Sequence, residues 1–202
     1  MNPVVKICGL TRSEDVEAAI KAGATHIGFI LAPSSKRYVP LKQLHRLSTE
    51  VPKGPVKKVG VFLNAPRDFI LKHQEAGELD ILQLHGDKSP DFARQFEEIE
   101  IWKAFHLRGE KDIEAALEYP ARYILADSAS AGSGTLCNWD YVAKLAAGRS
   151  VILAGGITPE NAVEALRKTG ACGIDLSTGV ETSPGIKSKE KIEQLFKNLK
   201  TL

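Results

Sequence analysis

The chain has 202 residues, a length typical of one domain, so we expect a single domain over residues 1–202. Its formal net charge is only +2 and its lysines are scattered, which argues against a nucleic-acid-binding surface. No apolar run approaches the ~20 residues of a membrane span, and the start of the chain lacks a signal-peptide pattern. We therefore expect a soluble, cytoplasmic protein that binds neither nucleic acid nor membrane.

The cysteine pattern gives no sign of a disulfide framework or a metal site. Cys8, Cys137 and Cys172 are an odd number of cysteines without a CxxC spacing. Hydrophobic residues make up 43% of the chain and charged residues 26%, which is the usual composition of a globular enzyme.

Short apolar, β-branched runs alternate with helical patterns along the whole chain. Strict alternation of this kind predicts a parallel sheet covered by helices. Eight such units in one domain predict a closed (β/α)8 TIM barrel, with an open doubly wound sheet as the alternative. The strands are expected to begin near Val4, His26, Lys58, Ile81, Ile101, Tyr123, Val151 and Ile174.

Polar residues ahead of several helical patterns predict where the helices begin, because their side chains accept hydrogen bonds from the first free amides. The predicted caps are Thr11 (in a capping box with Glu14), Asn64, Ser89, Thr158 and Ser188.

The carboxyl ends of barrel strands meet at one rim, so polar residues at those ends are candidates for function. Cys8 lies at the tip of the first strand, and Lys6 points the same way by strand alternation. A nearby cation lowers a thiol pKa, and the thiolate can act as a base. The alternative is a buried and inert cysteine.

Three further strand ends carry candidate ligand-binding residues. Arg37 follows the second strand and is suited to bidentate binding of a substrate carboxylate. Gln83 and His85 alternate on one face of the fourth strand, where the pair is positioned to orient a ligand, although a lone histidine is more often structural. Lys103 is expected to point inward from the fifth strand, where burial requires a partner or a function.

A carboxylate ends the sixth apolar strand, at Asp127. Burial raises the pKa of a carboxyl group, and a raised pKa suits a general acid that works near neutrality. In a closed ring of eight strands, Cys8 and Asp127 are expected to address opposite faces of one small substrate.

Two successive strand ends carry small residues that leave backbone amides uncovered. The seventh strand runs into Gly155 and Gly156, and the eighth ends in Ser177, Thr178 and Gly179. Bare amides and hydroxyls side by side predict a phosphate site, and barrels commonly bind phosphate after strands seven and eight. The alternative is that these glycines only form turns.

Together these residues resemble a known family at nearly every strand end, from about residue 3 to 197. The chain resembles the phosphoribosylanthranilate isomerase family of tryptophan biosynthesis in the segments KICGLT, GFI followed by SSKRYV, GVFLN, ILQLHGD, IWKAF, LAGGITPENA and GIDLSTGVE. The resemblance implies a barrel enzyme that rearranges N-(5'-phosphoribosyl)anthranilate without metal or organic cofactor.

The resemblance also implies a role for each matching residue. It makes Cys8 the general base, Asp127 the general acid and Arg37 the contact for the anthranilate carboxylate. It also implies that phosphate is held by Gly155, Gly156, Asp175 and Ser177.

The chain departs from the family pattern after the sixth strand. Ala131, Gly132, Ser133 and Gly134 stand where the family has Gly-Gly-Thr-Gly, and Cys137 replaces an aromatic residue.

Two other functions are compatible with parts of this pattern. One is another sugar-phosphate barrel enzyme, such as an epimerase or the indole-forming enzyme of the same pathway. An epimerase would bring metal-binding histidines and carboxylates at its strand ends, whereas His85 stands alone here. A non-catalytic phosphate sensor would need the glycines but neither Cys8 nor Asp127. The sequence does not decide between a monomer and a homodimer.

Overall fold

The computed structural model describes residues 3–128 and 137–202. Eight parallel strands close into a barrel in which each strand pairs with the next and the eighth pairs with the first. The predicted (β/α)8 barrel is confirmed, and the open-sheet alternative is wrong. The strands are β1 (Val4–Cys8), β2 (His26–Ile30), β3 (Lys57–Leu63), β4 (Ile81–His85), β5 (Glu100–His106), β6 (Tyr123–Asp127), β7 (Val151–Leu153) and β8 (Gly173–Leu176).

One α-helix follows each strand and covers the outside of the barrel. No helix in residues 3–128 and 137–202 is long and apolar enough to cross a lipid bilayer. The helices are α1 (Ser13–Ala22), α2 (Leu41–Thr49), α3 (Arg67–Gly77), α4 (Pro90–Ala93, continued by a 3-10 turn Arg94–Phe96), α5 (Glu110–Glu118), α6 (Trp139–Ala146), α7 (Ala162–Thr169) and α8 (Lys189–Leu199).

Two of the predicted helix caps are confirmed. Ser89 accepts a hydrogen bond from the amide of Phe92, and Ser188 accepts one from the amide of Lys191, each at 3.2 Å. Both serines therefore satisfy an amide that the first turn of a helix leaves free.

The other three predicted caps are wrong: other contacts take the side chains of Thr11 and Asn64, and the helix expected after Thr158 begins later. The Thr11 hydroxyl donates to the carbonyl of Gly185 at 2.6 Å. The Asn64 side chain accepts from the amide of Asp87 at 2.8 Å. Thr158 precedes a turn, and α7 begins only after Asn161.

The barrel interior and the layer between strands and helices are separate apolar cores. The interior core contains strand residues and Ala154 but no helix residue, and its largest side chain is Trp102. Because Trp102 and Ala104 pack inside, Lys103 between them points outward. The expected inward lysine is therefore wrong: the Lys103 ammonium donates to the carbonyls of Gly86 and Ala104, at 2.8 and 2.7 Å.

A short hairpin follows β8 and reaches the rim beside β1. After a 3-10 turn at Thr178–Val180, the strands β9 (Glu181–Ser183) and β10 (Ile186–Lys187) pair antiparallel. The bond from Thr11 to Gly185 ties this hairpin to the loop after β1. The hairpin thus brings residues near the end of the chain to the carboxyl end of the barrel.

Candidate active site

A cavity of about 310 Å³ opens where the strands end, a volume within the range of small-molecule sites. Its lining combines groups from β1, β4, β6, β8 and the loops between, although these residues lie far apart in sequence. The predicted loop at 131–134 lies outside the described residues. All the predicted site residues line this cavity: Cys8, Arg37, Gln83, His85, Asp127, Gly155, Gly156, Asp175 and Ser177.

Cys8 shares the barrel interior with a buried ion pair. The Lys6 ammonium is fully buried and lies 2.9 Å from a carboxylate oxygen of Asp175. Gly28 makes room for this arrangement, because a Cβ there would lie 2.9 Å from both the Cys8 sulfur and the Lys6 Cε. The lysine ammonium is thus available to both the thiol and the carboxylate.

Burial raises the pKa of the Cys8 thiol, although Lys6 acts in the opposite direction. The nearby cation acts to lower this pKa, as expected, but burial outweighs it, so the net shift of the pKa is upward. The reason is that Cys8 is almost completely removed from water, while Asp175 shares the charge of Lys6. The lysine therefore limits the rise in the thiol pKa without reversing it.

The Asp175 carboxylate forms an ion pair with Lys6, which the prediction of a phosphate contact did not include. Its Oδ2 binds Lys6, and its Oδ1 is buried without a partner in residues 3–128 and 137–202. A carboxylate repels a phosphate dianion, so this residue is better suited to balance Lys6 or to accept a hydrogen bond from a ligand hydroxyl.

Asp127 ends β6 at the side of the cavity nearest to β7. As expected, burial raises the pKa of its carboxyl group, while a 2.8 Å hydrogen bond from the Ser128 amide opposes that rise. The charge of Asp175 adds to the rise. A carboxyl group held in this way can carry a proton at a higher pH than an exposed aspartate.

Gln83 and His85 contact each other through their side chains, with the amide nitrogen 2.6 Å from the imidazole Nε2. Burial, with the charge of Lys6 adding to it, lowers the pKa of His85 to about 3, so the ring is neutral at pH 7. Since an amide nitrogen can only donate, Nε2 accepts and the ring proton is on Nδ1. Gln83 Oε1 has no partner in the described part of the chain, so it can accept from a ligand.

The two glycines after β7 have left-handed backbone conformations, with φ of 75° at Gly155 and 68° at Gly156. Their amides have no hydrogen-bond acceptor within the described residues. A Cβ at Gly155 would lie 3.0 Å from a carboxylate oxygen of Asp127, so the glycine loop packs directly against the acid. Free amides of this kind are suited to an anionic ligand.

Arg37 lines the cavity, but another residue of the chain occupies part of its guanidinium. Its Nε and Nη2 donate to the two oxygens of Glu181, at 2.7 and 2.6 Å. The predicted bidentate site on that edge is therefore filled from within, and Nη1 is the guanidinium nitrogen that has no hydrogen-bond partner within the described residues. Sequence reasoning missed Glu181 and its second partner Lys187, which lies 2.8 Å from Glu181 Oε1.

Comparison with known families adds a decisive observation to this geometry. Residues 5–198 match the family described as N-(5'-phosphoribosyl)anthranilate (PRA) isomerase. The chain belongs to this family. The resemblance inferred from the strand-end segments is thereby confirmed.

Individual members of the isomerase family match over nearly the whole chain. A relative of that name from Acaryochloris marina is 38% identical over 213 residues, and the match covers 98% of each chain. One from Citrifermentans bemidjiense is 35% identical and covers 98% of this chain and 97% of the relative.

Solved structures of the family have the same fold. The phosphoribosyl anthranilate isomerase of Thermus thermophilus is 39% identical, with a TM-score of 0.91 over 98% of each chain. Another, 35% identical with a TM-score of 0.89 over 98% of each chain, is described in complex with reduced 1-(o-carboxyphenylamino)-1-deoxyribulose 5-phosphate. Both structures share the fold and also more than a third of their aligned residues with this chain, so the similarity is one of sequence as well as of fold.

Proposed function

We propose that this chain catalyses the rearrangement of N-(5'-phosphoribosyl)anthranilate to the corresponding 1-(2-carboxyphenylamino)-1-deoxyribulose 5-phosphate, a step of tryptophan biosynthesis. One observation carries the proposal: Cys8 and Asp127 line the same cavity as the uncovered glycines after β7. The family membership supports it, and so does the reduced product analogue in the complex of a relative.

In the first step Asp127 acts as the general acid. It donates its proton to the ring oxygen of the aminofuranose as the bond from that oxygen to the anomeric carbon breaks. The nitrogen lone pair forms the new C=N bond, which gives an open-chain iminium ion. The raised pKa of Asp127 supports this role, because more of the group then carries a proton near neutrality.

In the second step Cys8 acts as the general base. As a thiolate it removes the proton from the carbon next to the iminium, and the electrons of that bond neutralise the nitrogen. The enolamine that forms then relaxes to the aminoketone. The iminium is itself a strong electron sink, so this chemistry requires no cofactor.

The buried lysine supports this assignment of the base. A thiol with a raised pKa is mostly protonated at pH 7, so the reactive thiolate is a minor form. Lys6 stabilises that form by charge and by hydrogen bonding, and Asp175 holds the ammonium in place. We assign to Lys6 the role of keeping the thiolate accessible.

The two ends of the substrate would be held by different parts of the rim. We assign the phosphate to the amides of Gly155 and Gly156 and to Ser177, and the anthranilate carboxylate to Arg37. Gln83 and His85 lie between these ends and are suited to bind the sugar hydroxyls. Fixing both ends presents the reacting carbons to acid and base, which lowers the entropic part of the barrier.

The test is an assay with freshly made N-(5'-phosphoribosyl)anthranilate, in which the fluorescence decay of the substrate is followed with and without a chelator. We expect turnover well above the spontaneous rate and unchanged by the chelator. Turnover no faster than the spontaneous reaction would contradict the proposed activity. Loss of turnover on chelation would show that the rearrangement needs a metal ion and would contradict the cofactor-free mechanism.

The same proposal extends to location and assembly. We propose that the protein acts in the cytoplasm, which suits its free cysteines Cys8, Cys137 and Cys172, and that it is a monomer or a homodimer. A similar structure from Thermotoga maritima is described as mutually generated monomers of a dimeric enzyme. Sedimentation equilibrium of the purified chain distinguishes the two states.

A further inference from the structure

We infer that Glu181 and Lys187 are positioning residues that orient Arg37 and keep its positive charge available for the carboxylate of the substrate. The inference rests on the proposed function, in which Arg37 binds that carboxylate. Neither residue is assigned to the rearrangement itself, and neither forms a hydrogen bond or an ion pair with Cys8 or Asp127 in the described residues. The charge of Lys187 does act to lower the pKa of Cys8, and its ammonium also donates to the Ser177 hydroxyl at 3.3 Å.

The first step of the argument is orientation. Glu181 accepts two hydrogen bonds from Arg37, and both side chains are nearly buried, at 4% and 12% exposed. A two-point contact of this kind fixes the plane of a guanidinium. The Arg37 Nη2 also donates to the hydroxyl of Thr178 at 3.3 Å, so Nη1 is the nitrogen that remains for a ligand in the cavity.

The second step is charge. An isolated pair of Arg37 and Glu181 has no net charge, so it would attract a carboxylate weakly. The ammonium of Lys187 binds the same carboxylate at 2.8 Å, and its side chain is fully buried. Two cations thus share one anion, and the cluster keeps a net positive charge at the cavity.

Neighbouring charges leave this balance intact. Asp15 accepts a hydrogen bond from the backbone amide of Lys187, but its carboxylate is paired with Arg12 at 2.7 Å. Burial alone would raise the pKa of Glu181, yet its bonds to Arg37 and Lys187 hold that pKa below the ordinary value. Burial lowers the pKa of Lys187, and Glu181 opposes this. The charges of Glu181 and Lys187 therefore depend on each other.

A purely structural role would be to anchor the hairpin of β9 and β10, and the two roles predict different kinetics. The discriminating probe is a second substrate, N-(5'-phosphoribosyl)aniline, which lacks the carboxylate. Its conversion can be followed by chromatography beside that of the anthranilate compound. An effect that acts through Arg37 changes the KM only of the substrate that has the carboxylate.

The main variant is Lys187→Met, which keeps a long side chain and removes the charge. We expect the KM of the anthranilate substrate relative to that of the aniline substrate to rise about tenfold, which corresponds to about 1.4 kcal/mol. The contact of Lys187 with Ser177 and its charge near Cys8 act on both substrates, so their loss changes the two substrates alike and leaves this ratio unaffected. The matched control is Lys58→Met, because Lys58 is also mostly buried, at 11% exposed, and lies in β3 with Glu78 as its partner. This control should leave the KM ratio of the two substrates unchanged.

A double variant separates charge from folding. In Lys187→Met the cluster has no net charge, whereas Lys187→Met combined with Glu181→Gln leaves Arg37 as the single charge. We therefore expect the double variant to recover part of the preference for the anthranilate substrate, since the glutamine amide oxygen can still accept one of the two hydrogen bonds from Arg37. Damage to the hairpin would not be repaired by a second substitution in it.

Three outcomes would overturn the inference. The first is an equal loss for both substrates in Lys187→Met, and the second is the absence of recovery in the double variant. The third comes from Arg37→Ala: an unchanged KM ratio there would remove Arg37 from the carboxylate site, and with it the role of both positioning residues. Turnover by the wild type would still support the proposed activity in all three cases. Failure of this inference can therefore be distinguished from failure of the proposed function.

Discussion

The two ends of the barrel interior are built from opposite kinds of residue. Toward the amino ends of the strands the interior is filled by apolar and aromatic side chains, among which Trp102 is fully buried and contacts Tyr123 and His26. At the carboxyl ends the same interior holds Lys6, Asp175 and other ionisable groups. The same eight strands form both ends of the interior.

The difference shows how one small interior provides both stability and reactivity. Burial of apolar side chains stabilises the fold, whereas burial of charged groups costs free energy unless they are paired. Lys6 and Asp175 are paired, but Cys8 and Asp127 are held in surroundings that disfavour their charged forms. The apolar end therefore stabilises a rim that would be unfavourable by itself.

The largest expected effect is at the reactive end. We expect Cys8→Ala and Asp127→Asn each to lower kcat by roughly 10² to 10⁴, the range for loss of a positioned acid or base. Their free energies of unfolding should stay near that of the wild type, because each change removes an ionisable group whose charged form is disfavoured by burial. Steady-state kinetics and urea denaturation measure the two quantities. Rapid turnover by either variant would remove that residue from its proposed role.

The converse substitution tests the apolar end. Trp102→Leu should lower the free energy of unfolding by roughly 3 kcal/mol, the lower end of the range for truncation of a buried aromatic residue. We expect kcat at a temperature where the variant is folded to change little, because Trp102 does not line the cavity. Urea denaturation combined with the fluorescence assay checks both. A loss of kcat as large as that of Cys8→Ala would break the division between the two ends.

The smallest predicted effect concerns pH. Burial, with the charge of Lys6 adding to it, lowers the pKa of His26 to about 4, whereas in the unfolded chain this group titrates near its ordinary pKa of 6.5. As the pH falls below 6.5, the unfolded chain binds a proton that the folded chain excludes, so stability decreases. Between pH 7 and 5.5 this amounts to about 1 kcal/mol.

The corresponding variant is His26→Gln, which does not titrate in this range. We expect its stability to depend on pH less steeply than that of the wild type, by that same amount, in urea denaturation at the two pH values. An identical slope for both proteins would show that His26 is not protonated on unfolding in the way its burial implies.

Much of the barrel could be predicted from the sequence, because its signals are local. Each strand is a short apolar run, and the turn at Gly155 and Gly156 directly follows such a run. Ser89 and Ser188 cap helices as predicted because no distant group competes for their side chains. Thr11 and Asn64 have the same local signal, but Gly185 and Asp87 take their hydrogen-bonding capacity.

The lining of the candidate site could be predicted from strand-end position, strand alternation and the family resemblance, but the contacts between its side chains could not. Alternation placed Lys6, Cys8, Gln83 and His85 on the inner face, and the structure has them there. It could not reveal that Arg37 is bound by Glu181, which is 144 positions away. It also could not predict the sign of the Cys8 pKa shift, because the outcome depends on the balance between burial and a shared lysine.

The contact between Gly155 and Asp127 couples the proposed phosphate site to the proposed general acid, and this coupling constrains any redesign. Any side chain larger than hydrogen at position 155 would push against the Ser128 amide, 2.6 Å from the place its Cβ would take, and against the Asp127 carboxylate. The proposed phosphate site and the proposed general acid consequently share one wall of the cavity. A protein engineer who adapts this barrel to a longer or shorter sugar phosphate has to move that wall as a unit, and catalytic power will change with it.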